Sequence, residues 1–438
     1  MSSPVSSTRH ADNLDDPRRD LRQSGAMNSA DVVLLGPDRL RDIIDVDSWA
    51  FPSPHVLDDQ VEWPSPLAWD RTYGVEDDTQ PGRLAAFHAS YAFANTPVPG
   101  TRMPIAGLTW VCVHPQFRRQ GLLRTMMTAH FAHCLERGEA VSMLYAAEPI
   151  IYGRFGYGLA ARQVTMTIPR GAALRPVDTG GLTVRIEHFE FESHGELVSR
   201  LHGAVDRPGW VTRPTEAHQR AFLSEIPGRK GEFETLRIIV VEREGTPVGY
   251  ALFRRKFAWG WGGPSGAVRV VEVVAEESAI AHVVWSRLVD FDLTTEIVTP
   301  QLAPDDPLMS MLVDYRATRP ATQDNLWVRL VDVGAALAGR RYQTDVDVVL
   351  DVTDAVLPKN AGRWLVRADA GQGPQVTRTE RPADLALDVR ELGAAYLGGV
   401  SLAELAAAGL VTELTPGSLV AASVAFGWHR APVANWVF

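Results

Sequence analysis

Cysteine is almost missing from this 438-residue chain, which holds only Cys112 and Cys134. One lies in an apolar strand-like run and the other in a helical pattern, so they form no disulfide framework and no zinc spacing, and a reducing cytoplasm is the expected location. No uninterrupted apolar run reaches membrane-spanning length, and the N-terminus is polar with mixed charges, so neither a membrane helix nor a secretory signal is expected. Positive charge is in deficit: 43 Lys and Arg stand against 53 Asp and Glu, a formal net charge of -10. That balance disfavours nucleic acid as a general partner and suits cationic small molecules. The histidines, including His114 and His429, show no ligand spacing, and no metal is expected. Residues 1–30 hold scarcely any bulky apolar side chain and are expected to form a disordered leader.

What is present is an ordinary globular balance, 45% hydrophobic and 22% charged, over a length that exceeds one hydrophobic core. Two or three domains are expected. The chain is organised around Leu108 to Gly158, which opens LTWVCVHPQFRRQGLLRTMMTAH and closes AAEPIIYGRFGYG. Leu108 to Val113 is apolar and β-prone, and Pro115 stops it. Beyond Gly121, Leu122, Leu123, Met126, Met127 and Phe131 recur at helical spacing. A strand therefore leads through a basic turn into a helix start. Such a start offers unpaired N–H groups and a partial positive charge suited to a diphosphate, to which Arg118 and Arg119 add bidentate bonds. Gly121 lets the backbone approach a ligand without a Cβ in the way. Basic helix starts with a glycine also cap ordinary helices.

Arg118-Arg119-Gln120-Gly121-Leu122-Leu123 resembles the acetyl-CoA signature of the GNAT N-acetyltransferase superfamily, R/Q-x-x-G-x-G/A, with Leu123 in place of the usual small residue. That departure, together with IYGRFGYG at Ile151 to Gly158, narrows the resemblance to the Eis (enhanced intracellular survival) family of actinobacterial acetyltransferases. The resemblance implies acetyl-CoA as co-substrate. It further implies that the backbone of Val111, Cys112 and Val113 pairs with the pantetheine arm, and that Arg118 to Leu123 hold the diphosphate. Tyr152 stands where the superfamily's general acid is found, and Tyr157 is the rival in the same motif; both could instead be packing residues. Ala147 replaces a serine that many relatives place near the thioester. Trp49 and Phe51 lie in the region that forms one wall of the acceptor cleft, or they are core aromatics at a helix end. Side-chain alternation puts Trp110 and Cys112 on the face opposite Val111 and Val113, which makes Trp110 an acceptor-site candidate. Cys112 could be an acyl-carrying nucleophile, but without a basic partner in sequence reach it reads as a buried packing residue.

Along the chain, Asp31 to Leu35 reads as a strand, Pro37 to about Trp49 as a helix, and Gly82 to Ala94 and the run from Ile105 as strands. Val141 to Ala147 and Gln163 to Arg170 follow as strands. The stretch from Leu236 to Ala275 repeats the strand, turn, strand, strand order of Gly82 to Val113, but AEESAIAHVVW follows it with no arginine-glycine turn. It reads as a divergent second copy without a phosphate grip. Pro300 to Thr322 reads as a connection. The remainder resembles the sterol-carrier-like domain of Eis proteins. The expected fold class is α/β (α+β), two tandem GNAT folds with the second divergent, then a sterol-carrier-like α/β domain. The expected domains are a leader 1–30, a cofactor-binding unit 31–178, a divergent unit 179–323 and a C-terminal unit 324–438.

The chain ends apolar and aromatic, Asn435-Trp436-Val437-Phe438, where termini are normally polar and frayed. A docked tail would explain this. In Eis relatives the terminal carboxylate reaches the acceptor cleft as base, which gives Phe438 that role and puts Trp436 beside the substrate. The expected activity is acetyl transfer from acetyl-CoA to a primary amine of a cationic small molecule, such as an aminoglycoside-like polyamine, or of a lysine-containing peptide, in a large acidic cleft. The alternative is a catalytically silent acyl-CoA-binding or lipid-carrier protein. Neither nucleic acid nor membrane is an expected partner, and the resemblance implies a homo-hexamer.

Overall fold

The computed structural model describes residues 31–53, 55–213, 215–224, 231–369 and 373–438, so the leader expected over 1–30 lies outside the described residues. Within the first unit, alternating apolar residues build β1 (Val33–Leu34), β2 (Thr72–Glu76), β3 (Leu84–Val98), β4 (Thr101–Val113), β5 (Val141–Leu144) and β6 (Gly158–Thr165). The long β3–β4 hairpin turns at Gly100, whose φ of 69° suits glycine. Helix α1 (Leu40–Ala50), followed by the short α2 (Leu57–Val61), packs Ile43 and Val46 on one face of the sheet, against Phe87 and Cys112. The apolar stripe of α3 (Leu122–Glu136) covers the other face, where Leu122 and Met126 meet Val111 and Val113.

The sheet order is β1-β2-β3-β4-β5, then Ala321–Leu330, then β6. The inserted strand runs antiparallel to both neighbours, with Val328 opposite Met143 on β5 and Gln323 opposite Gln163 on β6. Residue 324, read as the start of the C-terminal unit, thus sits inside a strand of the first sheet. Sequence shows that a strand exists there, but its partners lie more than 150 residues upstream.

The second sheet has Leu182–His188, Arg237–Arg243, Thr246–Lys256, Gly266–Val274, Thr294–Val298 and Thr167–Pro169. Gly266–Val274 leads into the helix Ser278–Leu288 and pairs in parallel with Thr294–Val298, the same succession as β4, α3 and β5. Its helix opens on Glu276 and Glu277 in place of arginine and glycine. Arg430 binds Glu276 at 3.0 Å and Arg243 binds Glu277 at 2.8 Å, so acidic side chains already in ion pairs occupy the place a phosphate would need. The third unit is a five-stranded sheet centred on Val346–Thr353, with Gly362–Ala368 and Gln375–Arg378 on one side and Leu385–Asp388 and Val411–Glu413 on the other. One apolar core joins it to the first unit, since Phe93 and Ile105, Leu326 and Val328, and Leu350 and Leu392 share a cluster with Phe438.

Gly158, the last residue of the IYGRFGYG motif, marks the closest approach between these units. A Cβ there would lie 1.9 Å from the carbonyl oxygen of Arg390, and one on Gly393 would lie 2.4 Å from that of Val328. Backbone cannot give way as a flexible side chain can. Gly158→Ala is expected to cost at least about 1–3 kcal/mol and to lower the thermal midpoint without changing the far-UV spectrum. His88 gives a second expectation. It is fully buried with both ring nitrogens unpartnered, stacked on Tyr73 and edge-on to His130. Burial, with the nearby His133, pushes it from 6.5 down to about 3. The unfolded chain takes up this proton near 6.5 and the folded one does not, so stability present above 6.5 is lost as pH falls. The expected loss is about 1.4 kcal/mol per pH unit between 6.5 and 3. The midpoint should fall on acidification from pH 7 to 5, and less steeply in His88→Phe.

Candidate active site

The site begins where two strands part. β4 and β5 pair only through Ala106 with Ser142 and Gly107 with Met143, after which β5 ends at Leu144 while β4 continues to Val113. On its other side β4 carries a bulge: Phe87 faces Cys112 and Ala89 faces Thr109, so Trp110 and Val111 share the place opposite His88. Trp110 adopts φ 54°, a left-handed conformation rare for a bulky residue. A bulge sharpens local twist and re-aims the strand. The second half of β4 therefore has a β5-side edge with no strand along it, where the amides of a ligand arm can bond as a surrogate strand. Through the bulge, Val111 and Val113 still face α3, and Trp110 and Cys112 still face α1.

After β4, His114 accepts a hydrogen bond from Gln116 N at 3.3 Å and holds a short turn, beyond which Arg118, Arg119 and Gln120 are exposed. Arg119 at φ 64° and Gly121 at φ 87° are both left-handed. Gly121 is the residue that enters α3, whose buried first position is Leu122, with Leu123 half-buried beside it. Two guanidinium groups thus adjoin first-turn amides that helix geometry leaves unpaired, a donor set that fits a diphosphate.

Tyr152 ends the short helix Pro149–Tyr152 that follows the exposed Ala147. Burial, with the Cys112 thiol and Glu148 nearby, pushes its phenol up to about 12, so the hydroxyl keeps its proton near neutral pH. The Tyr152 ring packs in the same apolar cluster as Val111 of β4 and Leu123 of α3. Tyr157 is different. Its hydroxyl is fully buried at 2.8 Å from Ser142 Oγ, which lies 2.8 Å from His130 Nε2, so its bonding capacity is used inside the core. The Cys112 thiol donates to Asp47 Oδ1 at 3.4 Å, and burial together with that carboxylate raises it far above the usual thiol range. It is a protonated donor with no thiolate character.

A cavity of about 800 Å³ lies between the first two units. Ile44, Asp47, Tyr91 and Trp110 line it from the first unit, His218, Phe222, Arg254 and Arg269 from the second, and Trp436 to Phe438 close it. Trp110 Nε1 donates to Tyr91 Oη at 2.9 Å, fixing both rings on the wall. Trp49 and Phe51 are not on it. They are 55% and 45% exposed, and Trp49 leans edge-on against His114 at 5.1 Å, beside the arginine turn. Both sit at the outer end of α1, while Ile44 and Asp47, one turn earlier, face the cavity. The walls are also of mixed charge: Asp47 shares them with Arg254 and Arg269, in a cleft expected to be acidic.

The tail is held strand-like between the units. Ala434 N donates to Asn325 Oδ1 at 2.6 Å and its carbonyl accepts from Asn325 Nδ2 at 3.1 Å. Asn435 Oδ1 accepts from Val211 N at 3.2 Å, and Trp436 Nε1 donates to Val211 O at 3.0 Å. Beneath Asn435 lies Glu272, bound by Arg213 at 2.8 Å and His202 at 3.2 Å. Burial alone would raise this carboxyl, but those two groups hold it well below the usual range. The Phe438 ring packs edge-on to Phe93 at 5.0 Å and against Trp436 at 5.8 Å, which fixes the end of the chain at the cavity. Among the described residues no group of three His, Cys, Asp or Glu is arranged to hold a metal ion.

Comparison with known proteins gives matching families for all three units. Models described as acetyltransferase (GNAT) domains match residues 32–160 and 209–330, and a sterol carrier protein domain matches residues 333–435. An uncharacterized N-acetyltransferase of Streptomyces coelicolor is 39% identical over 83% of this chain and 88% of its own length. N-acetyltransferase Eis of Mycobacterium tuberculosis is 32% identical over 79% of this chain and 84% of its own. Among solved structures, Eis1 from Mycobacterium abscessus superposes with a TM-score of 0.78 at 31% identity, covering 93% of this chain and 100% of that one. A GCN5-related N-acetyltransferase from Anabaena variabilis, at 17% identity and a TM-score of 0.77, shares the fold.

The tail network yields an expectation of its own. Asn435→Ala removes the acceptor of Val211 N and leaves that amide buried, at about 1–3 kcal/mol. Carboxypeptidase should release Phe438 from this variant at least about fivefold faster than from the wild type, read by intact-mass spectrometry.

Proposed function

The chain belongs to the Eis family of GNAT N-acetyltransferases, and from that membership we propose that it transfers acetyl from acetyl-CoA directly to a primary amine of a cationic acceptor, an aminoglycoside-like polyamine or a lysine side chain. The observation that carries this reading is the meeting of three features at β4: its unpaired edge, the arginine turn beyond it, and the acceptor cavity behind Trp110 that ends at Phe438. Acetyl-CoA supplies the activated thioester. The backbone of Val111, Cys112 and Val113 binds the pantetheine amides, and Arg118, Arg119, Gln120, Gly121, Leu122 and Leu123 bind the diphosphate. Ala147 offers no hydroxyl to the thioester, so the β4 backbone orients it without that bond. Trp110 and Trp436 present flat apolar walls to the acceptor.

A protonated amine cannot attack a carbonyl. The α-carboxylate of Phe438 receives a proton from the acceptor ammonium, directly or through a water, and the nitrogen lone pair then forms the new C–N bond as the C–S bond breaks. Tyr152 delivers its proton to the departing sulfur and recovers one from the acetylated nitrogen by way of solvent. The hexameric assembly rests on the family alone and is open to sedimentation analysis.

Steady-state release of CoA thiol, measured with an aminoglycoside, a linear polyamine and a lysine peptide, tests the reading. At least one amine should give release. Acetyl-CoA binding without release by any would favour a silent acyl-CoA-binding protein. Tyr152→Phe is expected to lower kcat by about 10²-fold while leaving the acetyl-CoA KM within about threefold, since the ring that packs is retained.

A further inference from the structure

Asp47 is the cleft carboxylate that this chemistry leaves unused. It lies on α1 three residues beyond the buried Ile44 and lines the same cavity as Trp110 and Phe438. The Cys112 thiol is the side chain that hydrogen-bonds it, at Oδ1, and among the described residues no lysine, arginine or histidine forms an ion pair with it. The α1 residues Ile43 and Val46 beside it pack in one apolar cluster with Phe87 of β3 and with Trp110 and Cys112 of β4. The other charged or titratable residues on the cavity wall are His55, Tyr91, His218, Arg254, Arg269 and the C-terminal Phe438, none of them on α1 or β4. A carboxylate drawn away from water without a cation is a costly arrangement, and a ligand that brings the cation relieves it. Burial has moved this carboxyl from 3.8 up to about 6, the response of an unpaired group.

We propose that Asp47 is the ionic anchor of the acceptor, binding an ammonium group in the cleft while the Cys112 thiol fixes its other oxygen. This rests on the acetyltransferase reading. The nitrogen that attacks must give up its charge at Phe438 before it reacts, so the charge retained at Asp47 belongs to a different amino group of the same molecule. Asp47 therefore selects acceptors with at least two amino groups, and a monoamine leaves it without a counter-ion. Cys112 acts through Asp47 as a positioning residue.

The test compares 1,5-diaminopentane with pentylamine, equal in length and different by one charge, on the full chain with acetyl-CoA. Wild type should show a KM for the diamine at least about tenfold below that for the monoamine. Asp47→Asn should erase this preference by raising the diamine KM, with kcat and the acetyl-CoA KM within about threefold, Asp47→Glu should restore part of it, and Cys112→Ala, which frees the other oxygen, should weaken it without erasing it. A preference that survives in Asp47→Asn, or is absent from the wild type, overturns the proposal. Should the wild type bind acetyl-CoA yet acetylate neither amine, the transferase reading fails for this class, and calorimetric titration of the diamine decides on Asp47 separately. Tighter binding to wild type than to Asp47→Asn supports the anchor; equal or undetectable binding to both overturns it.

Discussion

The first unit depends on β4 leaving β5 after Gly107. Peptide groups in a sheet interior normally bond on both sides, and an open edge in the middle of a sheet is tolerated only where something else completes it. The bulge at Trp110 turns the rest of the strand outward, and the surroundings follow from that turn. One face of the freed segment carries the valines that seat α3, the other carries Trp110 and Cys112 toward α1, and Tyr152 packs in a cluster with Val111. A left-handed tryptophan in a strand is a local strain offset by packing on Phe87 and a hydrogen bond to Tyr91.

The second unit keeps the fold and has put it to another use. Glutamates with their own ion partners stand where the first unit has its arginine turn, while the far end of its sheet holds the last residues of the chain. The buried Glu272, Arg213 and His202 group is tied to Asn435 and, through the same loop, to Trp436. A domain without an arginine-glycine turn thus supplies part of the cavity wall and holds the last residues of the chain, as expected where sites are grafted on a fold.

How much of this could be read from residues alone follows from sequence separation. The strand, basic turn and helix of 108–136 are local, and their periodicities are unambiguous. The alternation that puts Trp110 and Cys112 on one face survived a bulge that nothing in the sequence announces. The motif puts Tyr152 at the general-acid position with Tyr157 as its rival, and only the fold shows the Tyr157 hydroxyl bonded to Ser142, which in turn bonds His130. Trp49 and Phe51 lie at the exposed end of α1 and do not line the cavity, whereas Ile44 and Asp47 do. Arg254 and Arg269 reach the cleft from a strand pair far along the chain, beyond the range of any local pattern.

The strand at Ala321–Leu330, which returns to fill the gap between β5 and β6, has a consequence for how the molecule is made. A ribosome releasing this chain exposes β5 and β6 with nothing between them until about 160 further residues have been synthesised. The first sheet can close only after residues 321–330 have emerged, by which point every strand of the second sheet has left the ribosome ahead of them. A fragment ending before residue 321 therefore lacks the strand that closes the first sheet.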